Sequence, residues 1–98
     1  MVVNVYTKKG CPFCTRAKTL LKDSGFDFAE IVINTEANDY EDVRAKLILQ
    51  SGGHRTYPFI FVGDIFIGGF RELEYAHSTL RLHELVRQEG GQVPEIDF

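Results

Sequence analysis

Apolar and polar residues recur along this chain with two different periods, and the changes of period mark out its elements. Val2 to Tyr6 (Val-Val-Asn-Val-Tyr) is short, β-branched and nearly all apolar, the composition of a central strand buried on both faces. From Pro12 the apolar residues Phe13, Ala17, Leu20 and Leu21 recur at helical spacing, while Thr15, Arg16, Lys18, Thr19 and Lys22 fill the other side. Pro12 suits a first helical turn, and Gly25 supplies a stop. Phe26 to Ile33 reads as a second strand, closed by Asn34 and Thr35. A helix between two strands predicts a right-handed crossover with the strands parallel.

A second helix has Tyr40, Val43, Leu47 and Ile48 as its apolar stripe. Asn38 and Glu41 are spaced like a capping box, and Gly52-Gly53 ends the helix. Phe59 to Val62 and Ile65 to Ile67 are short strands separated by Gly63-Asp64, so an antiparallel hairpin is expected. After Gly68-Gly69 the apolar stripe Leu73, Ala76 and Leu80 shifts register to Leu82, Leu85 and Val86, which predicts a break in the last helix near Ser78 and Thr79. From Gly90 to Phe98 a loose tail is expected. The order βαβαββα predicts a four-stranded mixed sheet with helices on both faces, the minimal thioredoxin-like α/β arrangement.

Ninety-eight residues without a linker, repeat or low-complexity run give one domain, residues 1–98. A formal net charge of −3 argues against nucleic acid or an anionic membrane as partner, although the first 22 residues hold basic groups and no acidic ones. No secretory pattern follows Met1, and no apolar run approaches the roughly 20 residues that span a bilayer. A cytoplasmic monomer is expected. Two cysteines two residues apart are too few for a disulfide scaffold and point to redox or metal chemistry.

Those cysteines, in Lys8-Lys9-Gly10-Cys11-Pro12-Phe13-Cys14, fall where the first strand hands over to the first helix. Unpaired N–H groups, the positive end of the helix dipole and Lys8 all favour a thiolate at Cys11. Cys14 shares a side with Ala17 and Leu21, so one sulfur should be exposed and the other shielded. Cys11 can then attack a disulfide, and Cys14, about one turn away, can attack the mixed disulfide that results. A zinc site pairing the two cysteines with His77 and His83 is the competing reading, but more than 60 residues separate the pairs and scattered surface histidines explain the second one. Two inert buried thiols are the plainest alternative.

The chain resembles the dithiol glutaredoxins over nearly its whole length. The resemblance rests on Tyr6-Thr7-Lys8, Cys11-Pro12-Phe13-Cys14, Thr56-Tyr57-Pro58 and Gly68-Gly69-Phe70-Arg71-Glu72-Leu73, in that order. Phe13 stands where the family usually has tyrosine, keeping the ring and losing the hydroxyl. The resemblance implies a groove for glutathione, an extended peptide with two carboxylates and one amine. It implies a cis bond at Pro58, and backbone pairing of the glutathione cysteine with Tyr57, which replaces a usual valine beside Thr56. It also implies that the N–H groups of Phe70 and Arg71, beyond Gly69, receive the γ-glutamyl carboxylate. Glu72, in place of the usual Asp, would meet the amine, and otherwise supplies a favourable first-turn charge. Lys8 would meet the glycine carboxylate, and Arg44 falls where the family has Gln or Arg at that carboxylate. His54, Arg55 and Lys9 are basic and unassigned.

The function implied is glutathione-dependent reduction of glutathione mixed disulfides and protein disulfides, with glutathionylated or disulfide-bearing proteins as partners. A redoxin reduced by thioredoxin reductase and feeding ribonucleotide reductase looks similar over Gly69-Phe70-Arg71. A carrier holding a [2Fe-2S] cluster between two protomers is a third reading, which Cys14 disfavours because carriers usually have serine there. No resident metal is expected.

Overall fold

A computed structural model describes residues 1–95, and its elements follow the predicted order, the last helix being divided in two. They are β1 (Val3–Thr7), α1 (Pro12–Asp23), β2 (Phe28–Val32), α2 (Tyr40–Gln50), β3 (Phe59–Val62), β4 (Ile65–Gly68), α3 (Phe70–Ser78) and α4 (Arg81–Gln88). The sheet runs β2-β1-β3-β4. β1 is parallel to β2, from Val3↔Phe28 to Thr7↔Val32, and antiparallel to β3, from Val3↔Val62 to Tyr6↔Phe59. β3 and β4 form the expected hairpin through Gly63-Asp64, with Val62 opposite Ile65.

Two strand expectations are corrected. β1 alternates, with Val3, Val5 and Thr7 buried and Asn4 and Tyr6 half-buried, whereas every residue of β3 is buried. The strand covered on both faces is therefore β3, flanked by β1 and β4. β2 starts two residues later than expected, because the Phe26 N–H bonds to the Leu21 carbonyl at 2.9 Å and closes α1, leaving its ring to enter the core. The capping box of Asn38 and Glu41 does not form either. Asp39 is the N-cap of α2, without a side-chain bond. The cause lies upstream: the Asn34 side chain accepts the Glu36 N–H at 3.0 Å, and turns from Asn34 to Ala37 and from Ala37 to Tyr40 set where the helix begins.

Side chains of the sheet divide into two clusters. On one face Val3, Val5, Ile60 and Val62 meet Ala17 and Leu21 of α1, Leu73 of α3 and Leu82 of α4. On the other, Phe59 and Phe61 meet Leu47 of α2, with Tyr57 and Cys14. The predicted break in the last helix is real: the Thr79 hydroxyl donates to the Tyr75 carbonyl at 2.9 Å, and Leu80 takes a left-handed φ of +63°. This turn brings Leu82, Leu85 and Val86 onto the core. In the stretch expected as a tail, residues 91–95 form no regular element, but Val93 packs on the core and Pro94 lies against Gly25. Residues 96–98 lie outside the described residues. Among the described residues no helix is long and apolar enough to cross a membrane.

Candidate active site

β1 ends at Thr7, and the chain turns through Gly10, at φ +73°, to place Cys11 at the N-cap of α1. A left-handed φ there is easiest for glycine. Pro12, with no N–H to leave unpaired, opens the helix. The Cys11 Sγ accepts the Cys14 N–H at 3.2 Å, the bond a serine or aspartate cap usually accepts. Cys11 is half-buried and Cys14 only 2% exposed, on one side with Ala17 and Leu21, as helical spacing requires. The two are joined in a disulfide with their Cα atoms 5.2 Å apart.

Beside the dithiol runs a groove of about 270 Å³. Phe13 lines it from α1, and Thr56, Tyr57 and Pro58 line it from the loop before β3. Gly69, Phe70, Arg71 and Glu72 contribute from the start of α3. The Tyr57–Pro58 bond is cis, as the resemblance implied. Phe13 and Phe70 approach to 6.1 Å between ring centroids. Gly68 is demanded by geometry: its φ is +137°, and a Cβ would lie 2.6 Å from the Glu72 side chain. At Gly69 a Cβ would make only ordinary contacts, with His54 at 3.5 Å and the Glu72 carboxylate at 3.6 Å.

Glu72 does what a first-turn glutamate can do without any ligand, its carboxylate accepting the Gly69 N–H at 2.9 Å. The N–H groups of Phe70 and Arg71 begin α3, where no intrahelical acceptor precedes them. Tyr57 is 9% exposed and packs edge-to-face on Phe59 at 5.2 Å. Burial, then its hydroxyl contact with Tyr40 at 3.4 Å, raises its phenol pKa well above the usual value and keeps it protonated. Lys8 does not line this groove. Its Nζ lies 5.2 Å from the centre of the Tyr57 ring, and Lys8 lines a neighbouring hollow that contains both cysteines. Arg44 stands off the groove too, donating to the Arg55 carbonyl at 3.4 Å.

His54 is the groove residue the sequence left without a role. Its ring packs against Phe59 at 5.0 Å and Phe66 at 5.1 Å, and its Nε2 lies 3.4 Å from the Thr56 hydroxyl. No local spacing signalled this, because β3 and β4 supply its neighbours. On the far side of the dithiol, Glu30 accepts from Lys18 at 2.9 Å and from the Thr7 hydroxyl at 2.7 Å. The Lys18 bond first, then Thr7, holds its carboxyl below the usual range.

Among the described residues no group of three or more His, Cys, Asp or Glu could hold a metal ion, so the four-ligand zinc reading does not assemble. His83, expected on the surface, is 7% exposed and packs on Phe26 at 4.9 Å and His77 at 5.6 Å.

Residues 3–67 match the family model described as glutaredoxin. Glutaredoxin 1 of Rickettsia felis is 34% identical over 84% of this chain and 78% of its own length. The hybrid peroxiredoxin hyPrx5 of Haemophilus influenzae is 42% identical over 74% of this chain, which spans only 27% of that larger protein. Among solved structures, the buckwheat glutaredoxin–glutathione complex is similar with a TM-score of 0.80 and 26% identity, covering 95% of this chain and 82% of that one. A dithiol at a helix N-cap, a cis-proline loop and these matches lead to one conclusion: the chain belongs to the glutaredoxin family and is a thiol-disulfide oxidoreductase.

Proposed function

We propose that the chain uses glutathione to reduce glutathione mixed disulfides and protein disulfides, with Cys11 as the nucleophile and Cys14 as the resolving thiol. The observation that carries this is the placement of Cys11 Sγ at the N-cap of α1, accepting the Cys14 N–H at 3.2 Å, next to a groove lined by Phe13, the Thr56-Tyr57-Pro58 loop and the start of α3. A hydrogen bond and a helix N-terminus both favour a thiolate.

The Cys11 thiolate attacks the glutathione sulfur of a mixed disulfide. A Cys11–glutathione disulfide forms, and the protein thiolate leaves and takes a proton from water. A second glutathione thiolate then attacks the bound glutathione sulfur, giving glutathione disulfide and regenerating Cys11. With a protein disulfide, the Cys11 thiolate attacks one substrate sulfur and releases the other as a thiolate. Cys14 then loses its proton and attacks Cys11, releasing the second substrate thiolate and forming the Cys11–Cys14 disulfide, which two glutathione thiols in turn reduce to the dithiol with release of glutathione disulfide.

Glutathione would lie with its cysteine backbone against Tyr57 and its γ-glutamyl carboxylate on the Phe70 and Arg71 N–H groups, the usual anion site of a helix start. The Glu72 oxygen not used by Gly69 is available to its amine, and Lys8 to its glycine carboxylate. Arg44, whose side chain donates to the Arg55 carbonyl at 3.4 Å and whose charge reaches Tyr57, would share that carboxylate through its remaining N–H groups.

Turnover of a small glutathione mixed disulfide, coupled either to glutathione and glutathione reductase or to thioredoxin reductase, tests the reading. Activity with the glutathione couple is expected; activity with thioredoxin reductase alone contradicts it.

A further inference from the structure

Two sets of neighbours fix His54, although it belongs to no helix or strand. Its N–H donates to the Ser51 hydroxyl at 3.1 Å, and that hydroxyl donates to the Ile48 carbonyl at 3.0 Å, at the end of α2. Its ring packs edge-to-face on Phe59 of β3 at 5.0 Å and lies 5.1 Å from Phe66 of β4. Backbone and ring are thus held by different elements, which restrains the imidazole from turning.

The half-buried ring lines the groove, with Nε2 3.4 Å from the Thr56 hydroxyl. From the α3 side, a Cβ on Gly69 would meet Cε1 at 3.5 Å and Nε2 at 3.6 Å. The same edge of the imidazole therefore lies against the residue that precedes the Phe70 and Arg71 N–H groups. Packing between Phe59 and Phe66 asks only for a ring, and phenylalanine would serve; a nitrogen at this edge has a use only toward something polar in the groove.

The charged side chains of the groove are Arg71 and Glu72, of opposite sign, and one Glu72 oxygen is bonded to the Gly69 N–H. Net charge therefore does not choose the guest, and directed donors must. The Phe70 and Arg71 N–H groups supply two at the start of α3. A restrained Nε2–H beside them adds a third, at little cost in lost freedom when an anion arrives.

We propose that His54 is a specificity-determining residue: its Nε2–H donates to the γ-glutamyl carboxylate, so that the site selects disulfides with a γ-glutamyl half. The inference rests on glutathione as the guest of the groove.

The test uses one synthetic peptide whose single cysteine is disulfide-linked either to glutathione or to cysteinylglycine, which lacks the γ-glutamyl residue. Each is mixed with pre-reduced protein, and the peptide thiol released is measured in acid-quenched samples. The Cys11 thiolate attacks the sulfur of the smaller thiol and the peptide thiolate leaves. Cys14 then displaces that smaller thiol as the Cys11–Cys14 disulfide forms, two electrons having passed to the substrate. The wild-type protein should react faster with the glutathione-linked peptide. His54→Phe, which keeps a ring and removes both nitrogens, should lower that rate constant about tenfold, the loss of one hydrogen bond to a charged group. Its rate with the cysteinylglycine-linked peptide should change less than about twofold, as for a substitution that leaves fold and dithiol intact. His54→Gln, whose amide N–H reaches about as far as Nε2, should restore most of the lost rate.

A wild-type protein that reacts equally with both peptides would remove glutathione as the guest and this inference with it. With the wild-type preference present, three results overturn the role of His54 alone: the preference kept in full by His54→Phe, equal losses on both peptides, or a His54→Gln protein as slow as His54→Phe.

Discussion

The two faces of the sheet are built from different materials. Among the described residues one face carries twelve that are buried, mostly aliphatic, under α1, α3 and α4. The other carries five, Cys14, Leu47, Tyr57, Phe59 and Phe61, under α2 and the cis-proline loop, with Cys11 packed against them. β3 feeds both, sending Ile60 and Val62 to the first and Phe59 and Phe61 to the second. The larger cluster holds the fold together. The smaller one holds the site in place, since its members include Cys14, the ring beneath Lys8 and a ring packed on His54. Stability and activity should therefore respond separately to changes on the two faces.

The largest separation is expected at Leu21, which is 0% exposed on the aliphatic face. Leu21→Ala should cost about 2–5 kcal/mol in urea unfolding while activity per folded molecule is retained. Loss of specific activity in the folded fraction would show that the two faces are coupled.

The next effect is acid sensitivity, which belongs to the same face through His83. Burial, then His77 and Arg87, lowers the His83 pKa in the folded chain. In the unfolded chain it titrates near its ordinary value of about 6.5. Its contribution to stability is therefore intact above that pH. As pH falls from there toward the lowered folded value, the unfolded chain binds a proton that the folded chain refuses, and stability declines by at most about 1.4 kcal/mol per pH unit. His83→Phe should flatten this part of the curve, read from denaturant midpoints across pH. A slope unchanged in the variant would place the acid sensitivity elsewhere.

The smallest effect is expected on the aromatic face. Tyr57→Phe keeps the ring under Lys8 and loses only the 3.4 Å contact with Tyr40, so its stability cost should be about 1 kcal/mol or less. The KM for glutathione should hardly change. A large rise in KM would mean that the Tyr57–Tyr40 contact positions the groove.

Features set by neighbours in sequence were legible in advance. Helical spacing alone puts Cys14 with Ala17 and Leu21, and the register shift after Leu80 marks the division of the last helix. What escaped was decided by partners distant in the chain. Asn38 could not be dismissed as a cap without knowing that the Asn34 turn starts α2 one residue later. Tyr57 is drawn inward by Tyr40, seventeen residues away, and His83 is buried against Phe26 from the other end of the chain. The cis bond at Pro58 became legible through the family resemblance, since a lone X–Pro bond carries only about a 5–6% expectation of being cis.

The two sulfurs lie in different surroundings, Cys11 at a helix N-cap and Cys14 in the aromatic cluster, and this difference predicts unequal roles for them. The most direct test compares Cys11→Ser and Cys14→Ser in glutathione-coupled turnover of a glutathione mixed disulfide. Cys14→Ser should remain active and Cys11→Ser should fall to background; equal loss in both would contradict the division of labour.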